Sequence, residues 1–145
     1  MTRQADSGVR VDHLMGDRFQ IDVRGHQLTV DQPVEGGGDD TAPTPTELFI
    51  ASLASCVAFY ARRYLTRHGL PTAGLAVDAD FAMGSHPARV ATIDLQLHLP
   101  PGVPESRREP LLAVARHCTV HNTLTSQPEV AVRLADTAQP VGVAS

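Results

Sequence analysis

Cysteine is scarce in this chain: only Cys56 and Cys118 occur among 145 residues. Two thiols do not make the dense disulfide framework of a small secreted domain, and in a reducing compartment such a pair serves as packed apolar residues, metal ligands or redox-active thiols. A secretory leader is also missing from the first residues, Met-Thr-Arg-Gln-Ala-Asp-Ser-Gly, which carry no apolar core and no small-residue cleavage site. The expectation is a cytoplasmic protein. The most apolar stretch, Leu48 to Ala61, is shorter than the roughly 20 residues that cross a bilayer, so no membrane partner is expected. Basic runs interleaved with aromatics are absent and the formal net charge is −4, which argues against a nucleic-acid partner. Gly36-Gly37-Gly38 lacks the spacing and the Lys-Ser/Thr ending of a phosphate-binding loop and reads as a flexible connection. Internal repeats and low-complexity segments are lacking too.

The chain is long enough, with 42% hydrophobic residues, for one domain with a real core and too short for two. From Val9 to Asp31 apolar and polar positions alternate, with Val9/Val11, Phe19/Ile21/Val23 and Leu28/Val30 on one face and turn signals at Gly16-Asp17 and Arg24-Gly25. This is the pattern of a three-stranded meander. A loop from Gln32 to Pro43 follows. Thr44-Pro45-Thr46-Glu47 then reads as a helix start, with Thr44 as N-cap, Pro45 at the first helical position and Glu47 closing a capping box. The helix is apolar nearly all round to Ala61, so it is expected to be buried on most faces. It turns cationic through Arg62, Arg63 and Arg67 and stops at Gly69.

Two strands around Leu75–Phe81 and Ile93–Leu99 come next, joined by a turn over Gly84–Pro87. A second helix carries Leu111, Val114, Ala115 and Cys118 at i, i+3, i+4, i+7, with Pro110 expected in its first turn. Val120 to Leu124 continue as a short helix, Val130, Val132 and Leu134 read as a last strand, and residues 1–7 and 137–145 as loose ends. The order βββ-α-ββ-α-β is an α+β pattern with a central buried helix.

Cys56 lies in the middle of the apolar helix among Ala51, Ser52, Ala54, Ser55 and Ala58, small side chains that leave room for a close neighbour or a narrow substrate channel. Each cysteine taken alone is well explained as a core residue. Taken together, two thiols on the inward faces of two helices suit peroxide reduction: one thiolate attacks the O–O bond and becomes a sulfenic acid, and the second condenses with it to a disulfide. A thiolate in an apolar site needs a cation, for which Arg18 and Arg24 of the meander are candidates. A metal site from His117, Cys118 and His121, with Cys56 as a fourth ligand, is the competing reading, although Cys-x2-His is half a zinc pattern. A third is a binding module whose apolar pocket holds a small ligand and whose thiols are incidental.

Pro43-Thr-Pro-Thr-Glu-Leu-Phe-Ile-Ala-Ser-Leu-Ala-Ser-Cys56, followed in the second half of the chain by Cys118-Thr-Val-His-Asn-Thr-Leu124, resembles the OsmC/Ohr family of organic-hydroperoxide-reducing proteins. The resemblance implies an intertwined homodimer with sites at the subunit interface, Cys56 as the peroxidatic and Cys118 as the resolving cysteine, and an organic hydroperoxide as substrate. It also implies a dithiol reductant in place of a bound cofactor. In the best-characterised members a catalytic carboxylate directly follows the helix-start proline and pairs with an arginine near the first hairpin. Here Thr46 holds that place and the acid is Glu47, one residue and about 100° further round the helix. Glu47 is therefore both a capping residue and the candidate catalytic acid, and the chain resembles the OsmC-like branch more closely.

Overall fold

The computed structural model describes residues 8–136. The loose ends expected over 1–7 and 137–145 lie outside the described residues. Strands β1 (Val9–Met15), β2 (Arg18–Val23) and β3 (His26–Val30) form the expected antiparallel meander. Its register sets Val11 opposite Ile21, Ile21 opposite Leu28, and Phe19 opposite Val30, so the alternating apolar residues share one face. The β2–β3 turn is two residues long, with Arg24 and Gly25 at φ of 49° and 84°, the left-handed pair that matches strand twist.

The glycine-bearing connection is more ordered than its composition suggests. Val34–Gly36 make a 3-10 turn, Asp31 N–H donates to the Pro43 carbonyl at 3.1 Å, and Asp40 N–H donates to the Gln32 carbonyl at 2.9 Å. Gly38 passes so close to the Gln32 backbone that a Cβ there would stand 2.2 Å from its carbonyl oxygen. Within the run Gly38 is glycine for contact, while Gly37, at φ of 100°, is glycine for its left-handed backbone.

Helix α1 (Pro45–Arg67) starts as its capping box requires: Glu47 N–H donates to Thr44 Oγ1 at 3.0 Å, and Thr44 N–H donates to Glu47 Oε1 at 2.9 Å. It is 23 residues long and contains an 18-residue window of mean hydropathy 1.2, enough by length and composition to cross a bilayer, and so is longer than the apolar stretch within it. Its inward stripe instead feeds the core through Ile50, Leu53, Val57, Ala61, Tyr64 and Leu65. Strands β4 (Ala76–Gly84) and β5 (Arg89–His98) form a separate antiparallel hairpin. Val77, Ile93, Leu95 and Leu97 of that hairpin pack on the cluster of Leu53, Val57, Ala61, Leu65, Leu111, Ala115 and Cys118.

Helix α2 (Glu105–Arg116) begins earlier than the position of its proline suggests: Pro110 is the sixth helical residue, not part of the first turn. The helix starts after Pro104, whose extended backbone ends the preceding loop, and Pro110 sacrifices the one hydrogen bond its missing N–H would make to residue 106. Leu111 and Ala115 are buried as expected, but Val114 is 40% exposed. Cys118 is not on α2 either. That helix stops at Arg116, and Cys118 is the extended N-cap of α3 (Thr119–Thr125).

The last expected strand does not form. Residues 127–136 carry no regular structure, and Val130, Val132 and Leu134 are 80%, 92% and 98% exposed. An alternating segment becomes a strand only where a neighbour accepts its backbone groups, and among the described residues this segment pairs with neither sheet. The observed order is βββ-α-ββ-α-α, still α+β.

Candidate thiol site

Cys56 sits at the middle of α1, half-buried, and packs against the core cluster. The serines around it spend their hydroxyls on their own helix: Ser52 Oγ donates to the Phe49 carbonyl at 2.7 Å and Ser55 Oγ to the Ala51 carbonyl at 2.8 Å. Cys118 is completely buried and caps α3, its sulfur accepting the His121 N–H at 3.4 Å. Burial pushes the Cys118 thiol up from its ordinary value, the His121 N–H works against that, and the neighbouring Cys56 thiol adds to the rise. The two thiols therefore lie near each other, one on a helix and the other at a helix start, in an apolar setting.

Sequence reasoning missed the clamp that holds them there. Tyr60, one turn beyond Cys56, bonds through its hydroxyl to Thr119 Oγ1 at 2.9 Å, tying α1 to the residue after Cys118. A tyrosine at Cys+4 and a threonine after the second cysteine were the only signals, and neither is distinctive without the geometry.

The other candidates lie elsewhere. Glu47 is engaged in its capping box, nine residues and about 13 Å along the helix axis from Cys56. Arg18 is held by Asp39, at 3.0 Å through Nη2, and stands 3.8 Å from Asp31 through Nε, a nitrogen that is buried without a hydrogen bond. Asp31 is itself buried, accepts from Thr41 Oγ1 at 2.7 Å, from Thr41 N–H at 3.0 Å and from Gln32 N–H at 2.7 Å, and these bonds hold its carboxyl down to about 2. Arg18 thus has two loop carboxylates as partners instead of Glu47. Arg24 is exposed at its turn. For the metal reading, His121 Nδ1 lies 2.5 Å from the Arg116 carbonyl, and among the described residues no three His, Cys, Asp or Glu side chains converge as a metal site.

Along the same helix runs a largely apolar cavity of about 610 Å³, walled by Phe49, Leu53 and Val57 of α1, Ile93 and Leu97 of β5, and Arg116, His121 and Leu124; neither cysteine lines it. Leu53 and Val57 stand three residues before and one after Cys56, so the cavity follows the thiol-bearing part of the helix.

An α+β fold with a long core helix carrying one of two adjacent thiols defines the class. Residues 37–133 match the model of the OsmC-like protein family, and the chain belongs to that family. No curated protein matches the sequence. Among solved structures, a candidate osmotic stress induced and detoxification response protein from Psychrobacter arcticus 273-4 superposes with a TM-score of 0.77 at 20% identity, over 85% of this chain and 91% of its own. An organic hydroperoxide resistance protein, OsmC, from Legionella pneumophila gives 0.59 at 20% identity, over 83% and 91%. A candidate organic hydroperoxide resistance protein from Vibrio cholerae O1 biovar eltor, solved with captopril in one of its active sites, gives 0.64 at 17% identity, over 88% and 90%. These likenesses establish a shared fold.

Proposed function

We propose that this chain is a single-domain, cytoplasmic thiol peroxidase that reduces organic hydroperoxides as a homodimer. The observation that carries the reading is the closeness of Cys56 to Cys118 at the edge of an apolar core. Cys56, the more accessible of the two, attacks as thiolate: its sulfur bonds to the terminal peroxide oxygen, the O–O bond breaks, and the alcohol leaves after taking a proton. The Cys56 sulfenic acid then condenses with the Cys118 thiol, forming the disulfide and releasing water. An external dithiol restores both thiols and is itself oxidised to a disulfide. The raised Cys118 thiol suits the resolving role, since it stays protonated and unreactive until a sulfenic acid stands beside it. The largely apolar cavity along α1, lined by Leu53 and Val57 on either side of Cys56 in the sequence, favours a peroxide with an apolar substituent over hydrogen peroxide.

Dimerisation is supported by apolar surface that one chain leaves uncovered, Val9, Val11 and Leu28 on the meander and Phe59 on α1 among them. Two names among the fold relatives, organic hydroperoxide resistance proteins both, agree with the substrate class.

The test is one equivalent of cumene hydroperoxide added to the fully reduced protein, read by mass spectrometry of non-reduced peptides. A Cys56–Cys118 disulfide is expected. Two free thiols with the peroxide unconsumed would sink the proposal and favour the second reading, a small-ligand-binding dimer, for which the size of the apolar cavity speaks.

A further inference from the structure

All twelve basic side chains of this protein are arginines; it has no lysine. Six of them, Arg62, Arg63, Arg67, Arg107, Arg108 and Arg116, fall on the last turns of α1 and on α2, although the chain as a whole is acidic. Between these two helices lies a pocket of about 280 Å³ lined by Tyr60, Arg63, Tyr64, Arg67, His68 and Val114. The four α1 residues and its C-cap His68 recur at i, i+3, i+4, i+7 and i+8, so they form one continuous face.

The face has a built structure. The Tyr64 ring is buried and stacks on His68 at 4.1 Å with 29° between planes, while His68 Nδ1 is tied to the Tyr64 carbonyl oxygen at 2.8 Å. Arg107 reaches across from α2 and donates to the Tyr64 hydroxyl at 3.4 Å. Arg63 lies over the Phe59 and Tyr60 rings at 5.6 and 5.7 Å, which restricts the guanidinium plane and leaves its N–H edges free to donate. Among the described residues Arg63, Arg67 and Arg107 form no salt bridge, whereas Arg10, Arg18 and Arg108 each pair with a carboxylate. Several guanidinium groups without a counter-charge around aromatic walls are complementary to a negative group carried on a flat apolar body.

We propose that this pocket binds an organic carboxylate with a flat ring or unsaturated body, its carboxylate on Arg63 and Arg67 and its body against Tyr60, Tyr64 and Val114. The site stands apart from the thiols and does not rest on their reactivity. Tyr60 nevertheless belongs to both places, since it lines the pocket and holds Thr119 beside Cys118, so a ligand here touches the clamp of the thiol pair.

Naphthalene-2-carboxylate is the probe, titrated into the intact protein and followed by amide chemical shifts. Saturable binding is expected, with shifts centred on residues 60–68 and on Val114. The double variant Arg63→Gln/Arg67→Gln should weaken it by on the order of tenfold or more. Arg62→Gln, which removes a charge from the same helix outside the pocket, should leave it unchanged, and the neutral naphthalene-2-methanol should bind at least about tenfold more weakly. The proposal is overturned if no saturable binding occurs up to millimolar probe, if the alcohol binds as well as the carboxylate, if Arg62→Gln weakens binding as much as the pocket variant does, or if the shifts centre on another surface.

Discussion

The two halves of this molecule carry similar apolar patterns and meet very different fates. In the helical half, α1 and α2 bury Leu65, Leu111, Ala115 and Cys118 completely. In the meander, an equally regular apolar face leaves Val9 and Val11 at 60% and 54% exposure, and of its apolar residues only Val30 is buried. A strand face and a helix stripe are both offers of burial. Which one is taken up depends on what stands opposite: the meander's face shares a groove with Pro45 and Leu48 at the start of α1, whereas the helical half packs its stripes on one another and on the β4–β5 hairpin. The meander's apolar residues stay largely exposed, whereas the thiols lie in the half whose core is buried.

The largest expected effect is on chemistry in the helical half. Cys56→Ser should abolish hydroperoxide reduction, because a hydroxyl is far less nucleophilic than a thiolate at neutral pH. Cys118→Ser should leave the first step intact and trap Cys56 as sulfenic, then sulfinic and sulfonic acid, seen as successive oxygen additions in mass spectra. Equal and slight effects of the two substitutions would mean two structural cysteines, and the reverse asymmetry would exchange their roles.

Next comes a direct contrast between the halves. Leu65→Ala should cost about 2–5 kcal/mol in chemical denaturation by opening a cavity in the core. Val11→Ala should barely change the folding of an isolated chain and should instead weaken self-association in sedimentation. If Val11→Ala were as destabilising as Leu65→Ala in a monomeric protein, the view of the meander as an uncovered face would fail.

The loop joining the halves offers a smaller effect. Gly38→Ala must push a methyl against the Gln32 carbonyl and should cost about 1–3 kcal/mol, as overpacking against fixed atoms does. An unchanged thermal midpoint would show that the loop yields. Thr44→Ala removes the N-cap of α1 and should cost about 1 kcal/mol, readable in the same denaturation experiment.

The smallest effect is a pH dependence. Asp31 has a folded-state value near 2, below its ordinary 3.8, so its bonds to Thr41 and Gln32 stabilise the folded chain above the ordinary value. That contribution is lost as pH falls through about 2. The stability gap between wild type and Asp31→Asn should therefore narrow as pH is lowered across that window. A gap that stays constant would place the value of Asp31 outside it.

Much of this was legible in the residues themselves. The three meander strands, the capping box at Thr44 and Glu47, and the β4–β5 hairpin all follow from local periodicity and local hydrogen bonding, which need no distant partner. The reading of Cys118 shows where that kind of argument stops. Its spacing from Leu111 and Ala115 correctly put it in the core, but the chain reaches that position by leaving α2 and starting α3, a change of path that apolar spacing does not record.

What the sequence determined by itself, then, were the elements whose stability is local, together with the scarcity of thiols and the motif around Cys56 that points to the OsmC-like family. Tertiary structure decided the rest: that Cys56 and Cys118 lie near each other, that Tyr60 clamps Thr119, that Arg18 takes Asp39 and Asp31 instead of Glu47, and that Val130 to Leu134 remain without a strand partner. Each of these depends on a side chain or a backbone edge finding a group distant in sequence, and such meetings are set by how the elements pack, which periodicity along the chain does not encode.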